Sequence, residues 1–141
     1  MVTDNIIIER IWQDDEFFQV SITCQTNIIE VTSNVYIQDA NINDLINILD
    51  VFLGTNIKET SWLCGEIGAN TTPGVLLKFI KIDRLGHIKI EVFLELDDGS
   101  LSKKHCCSFF VFTEHGQLLS FKNSLNKLKE KTIGRKVALT R

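Results

Sequence analysis

One proline in 141 residues, Pro73, excludes a proline-rich linker or a collagen-like chain and leaves long stretches free for regular backbone pairing. A single methionine, Met1, excludes the Met-rich adaptable surfaces of promiscuous binders. No apolar run approaches the roughly 18 residues that a membrane helix needs. No basic stretch followed by a long apolar core opens the chain at Met1-Val2-Thr3-Asp4-Asn5, so the expected compartment is the cytoplasm.

Reactive chemistry is also thin. The four cysteines, Cys24, Cys64, Cys106 and Cys107, form no C-x-x-C, and read as reduced thiols acting as small hydrophobes. Cys106 and Cys107 are neighbours on a predicted strand and so point to opposite faces. There is no G-x-x-x-x-G-K-[ST] loop and no strand–G-x-G-x-x-G–helix, so no phosphate loop is expected. His87, His105 and His115 sit at a hairpin end, on a strand and at a helix start. None has a nucleophile and an orienting group in a recognisable pattern. His105 and Cys107 share a strand face, but two ligands are not a metal site. The expectation is no cofactor, no metal and no enzyme. A small hydrolase would need His87, His105 and Cys107 to converge.

Charge is where the chain is uneven. Residues 1–57 carry nine acids against Arg10 alone, a net of −8; residues 58–121 come to −1; residues 122–141 come to +6. Acids cluster at Asp14-Asp15-Glu16 and at Asp97-Asp98, both in predicted turns, where acids ordinarily face water. The alternative is a docking surface for a basic protein. The basic end lacks interleaved aromatics, and the acidic remainder would repel phosphate, so neither nucleic acid nor membrane is an expected partner.

What the chain does have is order, given twice. Asn5–Trp12, Phe17–Cys24 and Ile28–Ile37 alternate apolar and polar residues and lead to an amphipathic helix near Asn41–Leu53. Val75–Ile82, His87–Leu96 and Lys103–Phe112 do the same and lead to a helix near Gly116–Leu128. Links of two to five residues permit antiparallel neighbours and exclude parallel crossovers. Asp39 or Asn41 is the expected cap of the first helix, and Thr113 of the second. A constant offset matches Ile42 with Leu118, Leu45 with Phe121 and Leu49 with Leu125. The predicted fold is α+β: two β-β-β-α repeats, largely antiparallel in one sheet or a splayed pair, with both helices on the apolar face. One domain spans 1–131, with halves at 5–54 and 75–131 joined by 55–74. Ser61–Cys64 is a candidate seventh strand, and 132–141 reads as a frayed basic tail.

The stretch Asp83-Arg84-Leu85-Gly86-His87-Ile88-Lys89-Ile90-Glu91-Val92, with Trp62 before it, Phe109–Glu114 after it and a closing helix Gln117–Leu128, resembles WapI-type immunity proteins of polymorphic toxin systems. The resemblance implies a bacterial cytoplasmic antidote that binds a cognate toxin domain, often a nuclease, without turnover. It assigns no catalytic residue, and the basic end has no counterpart in it. Nucleases that bind phosphate are basic, so the expected partner-binding residues are Asp14, Asp15, Glu16, Asp39 and Asp44, with Trp62 as an aromatic anchor. The chain is expected as a monomer or homodimer; the alternative is a structural or regulatory homodimeric subunit.

Overall fold

The computed structural model describes residues 4–68, 73–97, 99 and 104–141. Its elements run β1 (Asn5–Gln13), β2 (Phe18–Gln25), β3 (Glu30–Ile37), α1 (Asp39–Gly54), β4 (Glu59–Cys64), β5 (Val75–Lys81), β6 (His87–Asp97), β7 (Lys104–Glu114), α2 (His115–Ser124) and β8 (Lys136–Thr140). A 3-10 segment, Leu125–Lys129, continues α2. Both expected three-strand meanders are present, and the seventh strand is β4. Asp98, Ser100 and Lys103, expected in the last hairpin and strand, lie outside the described residues.

Alternation places the core. Ile6 and Ile8 of β1, Phe18, Val20, Ile22 and Cys24 of β2, and Ile88, Ile90, Val92 and Leu94 of β6 are all buried. The helical stripes close over them. Ile42, Leu45, Leu49 and Phe52 of α1 and Leu118, Phe121, Leu125 and Leu128 of the α2 segment belong to the same continuous core. The three matched positions are therefore all buried, and Phe52 with Leu128 extends the match at the same offset. Full burial of such a side chain contributes about 1.5–3 kcal/mol, so these stripes, rather than helix propensity, hold the helices in place.

The helix starts differ from expectation. Gln38 caps α1, and the Asn41 side chain accepts the Gln38 backbone N–H at 2.8 Å. Glu114 precedes α2, while Thr113 is buried on β7 and donates its hydroxyl to the Thr140 carbonyl at 2.9 Å. A buried hydroxyl must find an acceptor, and here a neighbouring strand supplies it instead of the helix.

The sheets have strand orders β3-β2-β1-β8 and β4-β5-β6-β7, antiparallel throughout. The strand after each helix joins the other sheet: β4 pairs with β5, and β8 pairs with β1. Each repeat is thus β-β-β-α-β, with its last strand handed to its twin. The expected frayed tail is corrected accordingly. Lys136–Thr140 is a strand, and its Val137 and Leu139 are buried where Ile8 and Ile6 face them. Lys136 also stands opposite Glu9, so the basic end lies along the acidic half. Against the −8 of residues 1–57, Arg135 and Lys136 bring +2, leaving −6 on that side, while the Arg141 guanidinium lies 5.4 Å from the centre of the Phe112 ring of β7.

The sheets meet along two seams. The Asp4 carboxylate accepts the Phe112 N–H at 2.8 Å, and the Ser33 hydroxyl donates to the Glu95 carbonyl at 2.6 Å. Alternation sets Glu95 on the wet face of its strand, yet it is 6% exposed. Its carboxylate accepts the N–H groups of Gly68 and Gly74, at 3.0 and 2.9 Å, and so ties down both ends of the connection after β4. A buried carboxylate is tolerable because backbone donors replace its water.

Candidate functional site

Three of the expected partner-binding residues form one loop, and a fourth stands beside it. Asp14, Asp15 and Glu16 join β1 to β2. The Gln38 side-chain amide donates to the Glu16 carbonyl at 3.3 Å, which brings the start of α1, and with it Asp39, against that loop. Asp14 has a structural task. Its Oδ1 accepts the N–H groups of Phe17 at 2.7 Å and Glu16 at 2.8 Å, and these bonds hold its carboxyl below the usual range. Asp14 therefore stays ionised, and the loop presents three exposed carboxylates, Asp14 fixed by its own backbone bonds with Asp15 and Glu16 beside it. Asp44 is exposed on α1, but five residues on from Asp39 turn it about 140° around the helix, away from the cluster.

Trp62 is not an anchor. It is 2% exposed, and its indole N–H donates to the Asn41 carbonyl at 3.1 Å, so it is a wall of the core under α1. The exposed aromatics stand next to the acids instead: Trp12 is 43% exposed, Tyr36 44% and Phe17 41%. Trp12 and Tyr36 meet edge to face with centroids 5.7 Å apart, a stable aromatic geometry. Alternation from Ile6, Ile8 and Arg10 would bury Trp12. A register shift between Arg10 and Trp12 turns it outward, opposite Gln19 and in line with Tyr36. Beside Tyr36 the surface dips into a hollow of about 300 Å³, walled by Gln19, Asn34, Pro73 and Leu96. Nothing in the sequence marks the bulge, so alternation alone does not place Trp12 on this surface.

The opposite end of α1 has the opposite character. An open cleft of about 880 Å³ is lined by Asn56, Lys58, Lys81, Arg84, His87 and His115, with Asp83 as its one acid. Lys81 donates to the Thr55 carbonyl at 2.7 Å and lies over the Phe52 ring, so a cation caps the negative end of the helix, while Asp39 stands at its positive end. Gly86 shapes the hairpin here. Its φ of +94° suits glycine alone, and its carbonyl accepts the first N–H of α2 at 2.8 Å. No Ser, Thr or Cys lines the cleft, so among the described residues it holds no hydroxyl or thiol nucleophile.

Among the described residues, Asp83 and His87 form the one ion pair in the cleft, Oδ2 to Nδ1 at 2.7 Å. The hydrogen bond that His87 donates to Asp83, then the charge of that carboxylate, raises the His87 pKa above 6.5, helped by Glu114 and opposed by partial desolvation and by Arg141. The same bond holds Asp83 below 3.8. The histidine's share of stability is complete below 6.5 and is lost as pH rises through its raised folded value. The aspartate's share is complete above 3.8 and is lost as pH falls through its depressed one. The pair thus acts fully between those two values. An NMR titration is expected to place His87 above an ordinary histidine, and Asp83→Asn to return it; an unshifted His87 refutes the pairing.

The remaining candidates separate. His105 pairs with Leu96 and Cys107 with Leu94, nine and seven residues along β6 from His87, or roughly 30 and 23 Å. A hydrolytic set of His87, His105 and Cys107 is therefore not assembled. Among the described residues, no group of three potential ligands is placed to hold a metal. Cys24 and Cys64 are buried, and burial pushes both thiols up to about 12, too high for a thiolate near neutral pH. Cys106 is exposed on the outer face of β7, and Cys107, on the opposite face and paired with Leu94, is half-buried. Among the described residues, no helix is long and apolar enough to cross a membrane. No family model, curated protein or solved structure matches the chain.

Proposed function

We propose that this chain is a non-catalytic immunity-type protein that binds a basic toxin domain, of the nuclease class, and neutralises it by occupying its phosphate-binding surface. One observation carries the reading beyond the family resemblance: Trp12, Tyr36 and Phe17 are exposed together at the end of the first sheet that carries Asp15, Glu16 and Asp39. Aromatic side chains are costly to leave in water and dominate binding energy where a partner covers them. Carboxylates around them speed encounter with a cationic surface and select against neutral ones. The hollow beside Tyr36 accepts one protruding side chain of the partner.

The test is co-expression with the C-terminal domain of a large protein encoded beside this chain. The wild-type chain is expected to restore growth and to bind that domain as a monomer. Trp12→Ala is expected to weaken binding by about 2 kcal/mol, roughly thirtyfold. Asp15→Lys with Glu16→Lys is expected to slow association at least about tenfold at low salt and to flatten its salt dependence. All three residues are surface positions, so circular dichroism is expected to be unchanged. No such neighbouring gene, no rescue, or rescue indifferent to both variants sinks the proposal.

A further inference from the structure

We infer that the cleft at the C-terminal end of α1 is a binding site for a small oligophosphate ligand of the nucleoside di- or triphosphate class. The chain as a whole carries −3, yet Lys58, Lys81 and Arg84 line this cleft with Asp83 as the acid among its lining residues, while Glu114, opposite His87 on β7, is offset at His87 by Arg141. Asp83 is itself engaged by His87, and the Lys58 and Arg84 side chains have no hydrogen-bond or ion-pair partner among the described residues. Cations held together without counter-charge repel one another, so an anion that bridges them is stabilised by each. The donors are available. Lys81 gives one N–H to Thr55 and keeps two, Arg84 keeps its whole planar fork, and His87 bonds Asp83 through Nδ1, leaving Nε2 free.

The number of cations sets the ligand's charge. One carboxylate would satisfy one lysine or the arginine fork, whereas three permanent cations call for several negative charges closely spaced along one molecule. The size of the cleft sets the rest. At about 880 Å³ it lies within the range of small-molecule sites and far exceeds one phosphate ion. Ile82 lines the same cleft and is half-exposed, an apolar surface for the organic part of such a ligand. The site shares no residue with the acidic aromatic end, so failure of either reading leaves the other standing.

The experiment is a titration of the full chain, followed by amide NMR shifts, with pyrophosphate, ATP, adenosine, citrate and a short single-stranded RNA. Pyrophosphate and ATP are expected to move the amides of residues 82–88 and 115 saturably, with ATP the tighter, and adenosine to move none. Lys58→Gln with Arg84→Gln, both surface side chains, is expected to weaken both phosphate ligands at least about tenfold while leaving the remaining spectrum in place. The inference is overturned by any of four outcomes: no saturation with either ligand up to about 10 mM, citrate binding as tightly as pyrophosphate, affinity unchanged in the double variant, or RNA binding far more tightly than ATP, which reassigns the cleft to nucleic acid.

Discussion

Removing residues 132–141 is expected to abolish the folded state, although the composition of that segment reads as a solvated tail. β8 covers the length of β1 from Asn5 to Glu9. Without it an interior strand becomes an edge, and its backbone donors and acceptors lose their partners. Val137 and Leu139 leave the core, at about 1.5–3 kcal/mol each. Thr113 loses the Thr140 carbonyl while still buried, and Arg10 loses its backbone bonds to Gly134 and Arg135. At roughly 1 kcal/mol net for each lost hydrogen bond, the total approaches the 5–15 kcal/mol that holds a whole domain. Urea denaturation of residues 1–131 beside the full chain is the measurement. Leu139→Ala, expected to cost about 2–4 kcal/mol with the fold retained, shows the same effect in a soluble protein. A truncated chain with an unchanged midpoint would refute the role given to β8.

Arg10→Ala is expected to cost about 3 kcal/mol. Arg10 is 4% exposed on the inner face of β1. Its Nη1 donates to the Leu128 carbonyl at 2.8 Å, its Nε to the Gln13 side chain at 2.8 Å, and its guanidinium lies 3.8 Å from the centre of the Phe18 ring. Burial draws its pKa below the ordinary arginine value, and the field of Asp39 works against that, so the charge is retained. Truncation leaves the Leu128 carbonyl buried without a donor and opens a void over Phe18. Arg10→Lys is expected to recover little, because an ammonium cannot make both bonds and stack flat on the ring. A loss below about 1 kcal/mol by chemical denaturation would show the interaction to be incidental.

Arg10 also shows where sequence reading stopped. Periodicity locates β1 to β7 and both helices within a few residues, because alternation and the 3.6-residue stripe are direct consequences of burying one face; it misses β8, whose five residues are too few to show a period. It could not show that an arginine occupies a core position, that Glu95 turns inward to hold two glycine N–H groups, or that one bulged residue sends Trp12 outward. Each depends on partners far away along the chain: Leu128 for Arg10, Gly68 and Gly74 for Glu95, Gln19 and Tyr36 for Trp12. The acidic loop was legible because four residues in a row, Gln13-Asp14-Asp15-Glu16, spell a turn. Its aromatic neighbours were not, since Trp12 and Tyr36 are 24 positions apart and meet only across β2. The cationic cleft was invisible for the same reason: Lys58, Arg84 and His115 come from separate segments.

The traded strands also fix what a half-length chain would have to be. A polypeptide with one β-β-β-α-β unit would complete its sheet only by taking the last strand of a second copy while giving up its own. Two such chains, related by a twofold axis, would have the outline of the present single chain. Joining them in one gene keeps the exchange but removes the demand that both halves be identical. In the fused chain one end of α1 could become acidic and aromatic and the other cationic, a polarity that no symmetric pair could carry on one side only.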